Sequence, residues 1–377
     1  GFLVDPDELH AAHMRGDKLH PGHKPAPREA WQAWRNEMNR NGLDWAVVVW
    51  LGVIHVALVV APFFFSWSAL GVTIFLHWLT GGIGVCLGYH RYFTHQSFKC
   101  PRWVQLSLAC IGGLSGEGSS LHWVANHRKH HAHSDHIGDP HSPHDSAWWA
   151  HLLWVMANRT PEENEKLQNR WIPDLKDDPG LQMLDRHFLT SHFVLGGIVA
   201  GLGYAFGGAA LAASWVVWGM FVRLALVLHS TWFVNSASHM WGYRNYNTTD
   251  DSRNNWWVAI IAYGEGWHNN HHAFPRMARH GHKWWEVDMT FMVISLMEKL
   301  GLAWDVVDHQ HKKKDDLNTL RENEVTETDT AEIEAGTRHK VPGQAPASEM
   351  SVDAIIKAHE PHRNQAPLGT DTQHRVS

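Results

Sequence analysis

A chain of 377 residues with 32 Lys and Arg against 38 Asp and Glu carries a formal charge of −6, which excludes a nucleic-acid partner held by a basic stripe. Three cysteines, Cys86, Cys100 and Cys110, have neither metal-ligand spacing nor a disulfide framework. A mean hydropathy of −0.32 is not that of a membrane protein, but the average hides a split: residues 46–90 and 187–222 contain no Asp, Glu, Lys or Arg at all.

Residues 1–44 form a polar arm, and its charge predicts no cleavable signal peptide. Trp31, Trp34 and Trp45 predict an amphipathic helix leading into the first apolar run. A helix needs about 20 apolar residues to cross the hydrocarbon core. The first uncharged stretch therefore predicts two spans, near 45–65 and 69–90, with a break from Pro62 to Ser68. His55 and His77 within them are expected to face neighbouring helices.

The second span runs into His90-Arg-Tyr-Phe-Thr-His95. Positions five apart do not share a face of a regular α-helix, so the helix is expected to end or loosen there. Next comes His127-Arg-Lys-His130-His131, whose histidines stand at i, i+3 and i+4 and so converge on one helical face. The second uncharged stretch predicts spans near 191–211 and 214–236 around Gly207-Gly208-Ala209, with Arg223 turned to protein or water. Asn235 and His239 share a face four residues apart, and His268-Asn-Asn-His271-His272 repeats the triple spacing. Trp284 to Leu302 predicts a helix packed on this region. Beyond about His309 the polar composition predicts disorder, with Val352 to Ile356 a short helix forming on binding.

Charge placement orients the chain. Residues 1–45 carry six Lys and Arg and residues 91–186 carry ten, whereas the connectors 66–68 and 207–213 carry none. The positive-inside rule then makes the larger segments cytoplasmic, and four spans put both termini and every histidine cluster on that side. The 22 tryptophans suit interfacial anchoring. The expected architecture is an all-α integral membrane protein: an arm at 1–44, a domain at 45–308 with four transmembrane helices and a cytosolic helical cap, and a tail at 309–377.

Imidazole suits iron, copper and zinc, and nine clustered imidazoles with one amide suffice for two ions. A structural zinc site is the rival, but such sites are closed with four ligands. Glu265, three residues before His268, and Asp135 and Asp139, just after the second cluster, are expected to accept hydrogen bonds that orient ligand rings. His122, His133, His136, His141, His144, His280 and His282 show no spacing that demands a metal, so surface or supporting positions are expected for them.

These motifs, with Trp123-Val-Ala-Asn-His127, Trp232-Phe-Val-Asn235 and Gly264-Glu-Gly266-Trp-His268, resemble the membrane-bound fatty acyl desaturases of the Δ9 stearoyl-CoA type over about residues 45–305. The resemblance implies an O2-dependent enzyme that introduces a cis double bond into a long saturated acyl chain at a di-iron centre. It implies ligation by His90, His95, His127, His130, His131, His239, His268, His271 and His272, with Asn235 reaching one iron through water. It implies a substrate tunnel bent by Trp123, Thr231 and Trp232 and limited in length by Trp78 and Gly82, although for Trp78 simple packing serves equally well. Ala125 stands where the animal enzymes have a CoA-contacting arginine, so acyl-CoA, acyl-carrier protein and acyl-lipid all remain open as substrate. With no fused cytochrome b5 domain expected, electrons are to come from a separate ferredoxin, rubredoxin or cytochrome b5, in a bacterial inner membrane or the endoplasmic reticulum. A membrane hydroxylase of alkanes or sterols and a non-enzymatic membrane metal-binding protein are the alternatives.

Overall fold

The computed structural model describes residues 26–308. The expectations for the first 25 residues, for the tail from 309 and for the Val352–Ile356 run lie outside these residues. Among the described residues the secondary structure is helical, with isolated β-bridges but no strand.

Helix α1 (Arg28–Met38) does not lead into the first apolar helix, which begins separately at Trp45. Its tryptophans also take a direction that amphipathicity did not reveal. Trp31 is buried and stacks on His144 at 5.8 Å, and the Trp34 Nε1–H donates to the Asp139 carbonyl at 3.0 Å. These contacts tie α1 to the segment from Asp139 to His144. Arg35 of α1 pairs with Asp145.

Among the described residues three helical stretches are long and apolar enough to cross a membrane: Trp45–Phe64, Trp67–Thr94 and Phe188–Met240. The first holds α2 (Trp45–Val60), started by Asp44, whose carboxylate accepts from the amides of Ala46 and Val47. It ends in a 3-10 turn carrying Pro62, which supplies no amide hydrogen to continue a helix. Its outward face stays apolar, with Val49, Val56 and Val59 exposed.

Helix α3 (Trp67–His77) passes into a π-helix over Trp78–Thr94. The wide turn packs on α4 (Arg102–Gly113) at the closest possible range. A Cβ added to Gly84 would lie 2.6 Å from the Gly112 Cα, so only glycine permits the approach. Helix α5 (Ser120–His133) follows, then α6 (Ala147–His151), α7 (Pro161–Trp171) and α8 (Pro179–Arg186).

Helix α9 (Phe188–Val216) bends at Gly207 and Gly208, and Gly208 takes φ +71°, which a side chain would strain. The chain doubles back there. Phe206 and Trp215 rings lie 6.0 Å apart, and Val199 and Met220, on either side of the bend, both pack on Leu76. A π-turn (Val217–Val222) leads to α10 (Arg223–Asn235). Arg223 is fully buried, and its guanidinium donates to the carbonyls of Gly219 and Leu114. His55 and His77 likewise turn inward, His55 to His229 at 3.0 Å and His77 to Tyr263 at 2.6 Å.

Four short or medium helices follow: α11 (Ala237–Met240), α12 (Trp256–Ile261), α13 (His268–Ala273) and α14 (Met289–Lys299). The last begins later than the expected Trp284, because Asp288 caps it by accepting from the Phe291 amide at 2.9 Å. One core joins the π-helix, α4 and α5 through Leu87, Tyr89, Leu108, Leu121 and Val124.

Candidate metal centre and acyl cavity

Each histidine cluster sits where a helix starts, ends or changes its winding. In a π-helix each amide bonds to the carbonyl five residues back, and the His95 amide donates to the His90 carbonyl at 3.2 Å. Residues five apart are thereby brought onto one side, and the two rings lie 4.8 Å apart. The helix therefore does loosen, but over the whole stretch from Trp78 instead of only at its end. On α5 and α13 the i, i+3, i+4 spacing gathers His127, His130 and His131, and His268, His271 and His272, as expected. Asn235 and His239 are divided by a helix break at Ser236, so they belong to α10 and α11.

The nine rings form two groups in which the ligand nitrogens all lie within 4.8 Å of one another. His90, His95, His127, His131 and His271 make a five-ring group, and His130, His239, His268 and His272 a four-ring group. They adjoin: the rings of His131 and His272 are 4.7 Å apart.

The contacts inside each group are those of ligands. The Nε2 atoms of His90, His271, His131 and His127 follow one another at 3.0, 3.0 and 3.1 Å. Each such nitrogen has either one hydrogen or one lone pair, so the series cannot be satisfied throughout as hydrogen bonds. His268 and His239 repeat the contact at 3.0 Å. Carboxylates hold the opposite ring nitrogens: His90 Nδ1 lies 2.6 Å from Glu265, His239 Nδ1 2.7 Å from Asp135, His130 Nδ1 3.0 Å from Asp139 and His272 Nδ1 2.6 Å from Asp250. Asp135, Asp139 and Asp250 form hydrogen bonds with the Nδ1 atoms of His239, His130 and His272 and turn their Nε2 atoms toward the neighbouring rings, whereas His90 and Glu265 are in close approach without one. Lone pairs brought together in this way repel unless a cation stands at their focus. The buried Nδ1 atoms of His268 and His271 have no hydrogen-bond partner. The residues present fit two metal ions.

Burial, then the neighbouring rings, pushes His127, His268 and His271 well below the usual imidazole range, so these rings are neutral and able to ligate. The carboxylates move the other way from what burial alone would give. Burial raises Asp250, Asp139 and Glu265, but His272, His130 and the Arg91–His90 pair respectively outweigh it and hold each below its ordinary value.

Sequence reasoning anticipated Asp135, Asp139 and Glu265 but missed Asp250, which no fixed spacing ties to His272. It also gave His280 and His141 no particular position. Both are buried, His280 3.0 Å from Glu265 and His141 3.8 Å from Asp139. Burial depresses them to about 4 and about 3.

Beside the centre lies a largely apolar cavity of about 520 Å³, walled by Val47, Trp50 and Leu51 of α2 and by Leu228, Thr231 and Trp232 of α10. His127, Trp123 and Asn235 form the side toward the rings, and Trp123 stacks on His127 at 4.7 Å. The Trp123 Nε1–H donates to Glu117 at 2.7 Å. Burial pushes the Glu117 carboxyl up to about 7, against the opposing hydrogen bonds of Thr231 and Trp123. Trp123, Thr231, Trp232 and Asn235 are thus brought together. Trp78 and Gly82 are not in this wall; Gly82 fits under Tyr263, with Trp78 beside it. Ala125 is wholly buried in the core.

The sequence profile of the fatty acid desaturase family matches residues 65–304. Among relatives, an sn-2 palmitoyl-lipid 9-desaturase of Nostoc sp. (strain 36) is 47% identical over 71% of this chain and 92% of its own. An sn-1 stearoyl-lipid 9-desaturase of Anabaena variabilis is 42% identical over 70% of this chain and 94% of its own. An acyl-CoA 5-desaturase of Anemone leveillei is 40% identical over 73% of this chain and 83% of its own. Paired histidine clusters able to hold metal, the apolar cavity beside them and these matches converge: the chain belongs to the fatty acid desaturase family and is a fatty acyl desaturase, an oxidoreductase of lipid metabolism.

Proposed function

We propose that this desaturase uses two iron ions and O2 to place a cis double bond at the 9 position of a saturated acyl chain carried on a membrane glycerolipid. The observation that carries this reading is the cavity that shares His127 with the metal centre. Its volume falls within the roughly 300–1,000 Å³ of small-molecule sites. The lipid carrier is supported by the Nostoc and Anabaena relatives, named for lipid-bound palmitoyl and stearoyl substrates. Acyl-CoA-named relatives at 40% identity keep CoA as the competing carrier.

The five-ring set and the four-ring set each hold one ion, with Asn235 completing the smaller set through water. Bound iron supplies the activation of O2 that lets two hydrogens leave adjacent carbons, and the balance takes up O2, two electrons and two protons while releasing two waters. The chain's own residues do the rest. Asp135, Asp139 and Asp250 would keep the ring hydrogens of His239, His130 and His272 on Nδ1 and their lone pairs turned inward, with Glu265 placed beside His90. Trp123, braced by Glu117, and Thr231 and Trp232 bend the acyl chain so that one C–C bond faces the rings. The apolar wall excludes water from the reacting carbons.

The domain at 45–308 crosses the membrane four times, the third apolar stretch counting as two crossings about its bend at Gly207–Gly208. Both termini and the histidine clusters lie on the cytosolic side, as the Lys and Arg placement supports. A separate ferredoxin, rubredoxin or cytochrome b5 brings the electrons. The test is expression in a host deficient in monounsaturated fatty acids, with mass spectrometry of intact lipids and of derivatised acyl chains. Cis 9-monoenes on glycerolipid are expected. Hydroxylated chains, or unsaturation confined to the acyl-CoA pool, would overturn the reading.

A further inference from the structure

The cavity beside the rings does not end inside the protein. Its lining runs outward from His127, past Thr231 and Trp232, to Val49, Val53 and Leu189. These last three are apolar and are 60, 47 and 62% exposed, so the cavity has a mouth and they form its lip. Val49 and Val53 stand four apart on one face of α2, and Leu189 is the second residue of α9. Both helices belong to stretches long and apolar enough to cross a membrane. Beside the mouth Trp50 of α2 meets His192 of α9 edge-on at 5.9 Å, which joins the two helices.

Depth along the helix decides what such a mouth serves. At about 1.5 Å of rise per residue, Val49 and Val53 lie roughly 6 and 12 Å along the axis from Trp45, where α2 begins. An opening at that depth on the outer face of a membrane-crossing helix meets hydrocarbon and no water. An acyl chain already held in a bilayer passes through it from one apolar surrounding to another, exposing no methylene to water on the way. A chain carried on CoA or on an acyl-carrier protein arrives from water and has no use for an opening between α2 and α9.

Resting on the glycerolipid reading above, we propose that the gap between α2 and α9 is a lateral portal: the acyl chain of a membrane glycerolipid enters the cavity from the bilayer past Val49, Val53 and Leu189, while its headgroup stays at the membrane surface. The lip works by size alone. None of the three side chains belongs to a ring group or to the bend at Trp123, Thr231 and Trp232. Crowding the lip therefore slows the entry of lipid, on the order of tenfold for a bulky ring set in a fitted opening, and leaves metal content and the position of the double bond as they are.

The full chain is placed in nanodiscs of phosphatidylcholine, and a phosphatidylglycerol with a diazirine midway along one saturated acyl chain is delivered from donor vesicles. Illumination at intervals, with peptide mass spectrometry, follows how fast adducts appear on the inner wall, at Leu228 or Trp232. The parent is expected to form them, and Val49→Trp and Leu189→Trp should each slow their appearance about tenfold or more. Val56→Trp, on the same face of α2 and 66% exposed but outside the cavity lining, should match the parent. Adducts on the exposed Val59 give the internal standard, because every variant meets the same bilayer. Inner-wall adducts missing from the parent, or Val49→Trp and Leu189→Trp chains that label as fast as Val56→Trp, would overturn the portal and leave glycerolipid desaturation to be read from the products of the complemented host. An inner wall labelled by the matching acyl-CoA probe and never by the lipid probe would overturn both.

Discussion

The ring assembly and the cavity beside it share His127, yet they are built on different terms. The rings come from four helical segments and are locked by buried carboxylates, each with several partners of its own. Removing one member leaves others charged and unpaired, so the assembly tolerates almost no change. The cavity is a wall of apolar and aromatic side chains with one braced tryptophan. Its residues act through shape, and shape yields gradually. Chemistry is therefore expected to fail all at once, whereas selectivity should drift.

The largest effect is expected on the ring side. His130→Ala opens the four-ring centre and strands Asp139, and desaturation in the complemented host should fall on the order of 100-fold or more, with lipid analysis as the readout. Residual activity within tenfold of the parent would break the distinction drawn above. Next comes Arg91→Leu, which leaves Glu265 and Asp288 buried without their cation. A loss of about 3–5 kcal/mol is expected, measured as thermal unfolding in detergent.

On the cavity side, Trp123→Phe deletes the hydrogen bond to Glu117 while keeping an aromatic ring over His127. Loss of one such bond is about 1 kcal/mol. Total product should stay within about tenfold, while the double bond spreads to neighbouring positions. An unchanged single isomer would show that the bend does not depend on this brace. The smallest effect concerns pH. Glu117 titrates near 7 in the folded chain, above its ordinary 4.5. The folded state therefore holds a proton that the unfolded state has lost between those values, and stability falls as pH rises through that window. Glu117→Gln removes the dependence, so its stability advantage over the parent should grow from pH 5 to pH 8 by on the order of 1–3 kcal/mol, read from unfolding in detergent. A constant difference across that range would count against a buried, neutral carboxyl.

Legibility in the sequence followed the range of the interaction. The triple spacing on α5 and α13 is local, and one helical period places those rings correctly. The uncharged stretches revealed the apolar helices, including the doubling back at Gly208, because burial in lipid leaves few other compositions possible. The π-helix was anticipated only as a loosening near His90 and His95. Winding over Trp78–Thr94 is fixed by close packing on α4, a tertiary contact with no local signature. Asp250 was invisible because it meets His272 across a loop. Asp135 and Asp139 were visible because they follow the second cluster directly. The α1 tryptophans were misdirected for a related reason: an amphipathic face looks alike whether it meets lipid or, as here, His144 and the Asp139 carbonyl.

The claim on which all this depends is that nine imidazoles hold two redox-active ions. Elemental analysis of the purified full chain, normalised to protein by amino-acid analysis, tests it most directly. Two irons per chain are predicted, with at most one in His268→Ala. A stoichiometric zinc content, or no bound transition metal in a folded and active protein, would contradict the account.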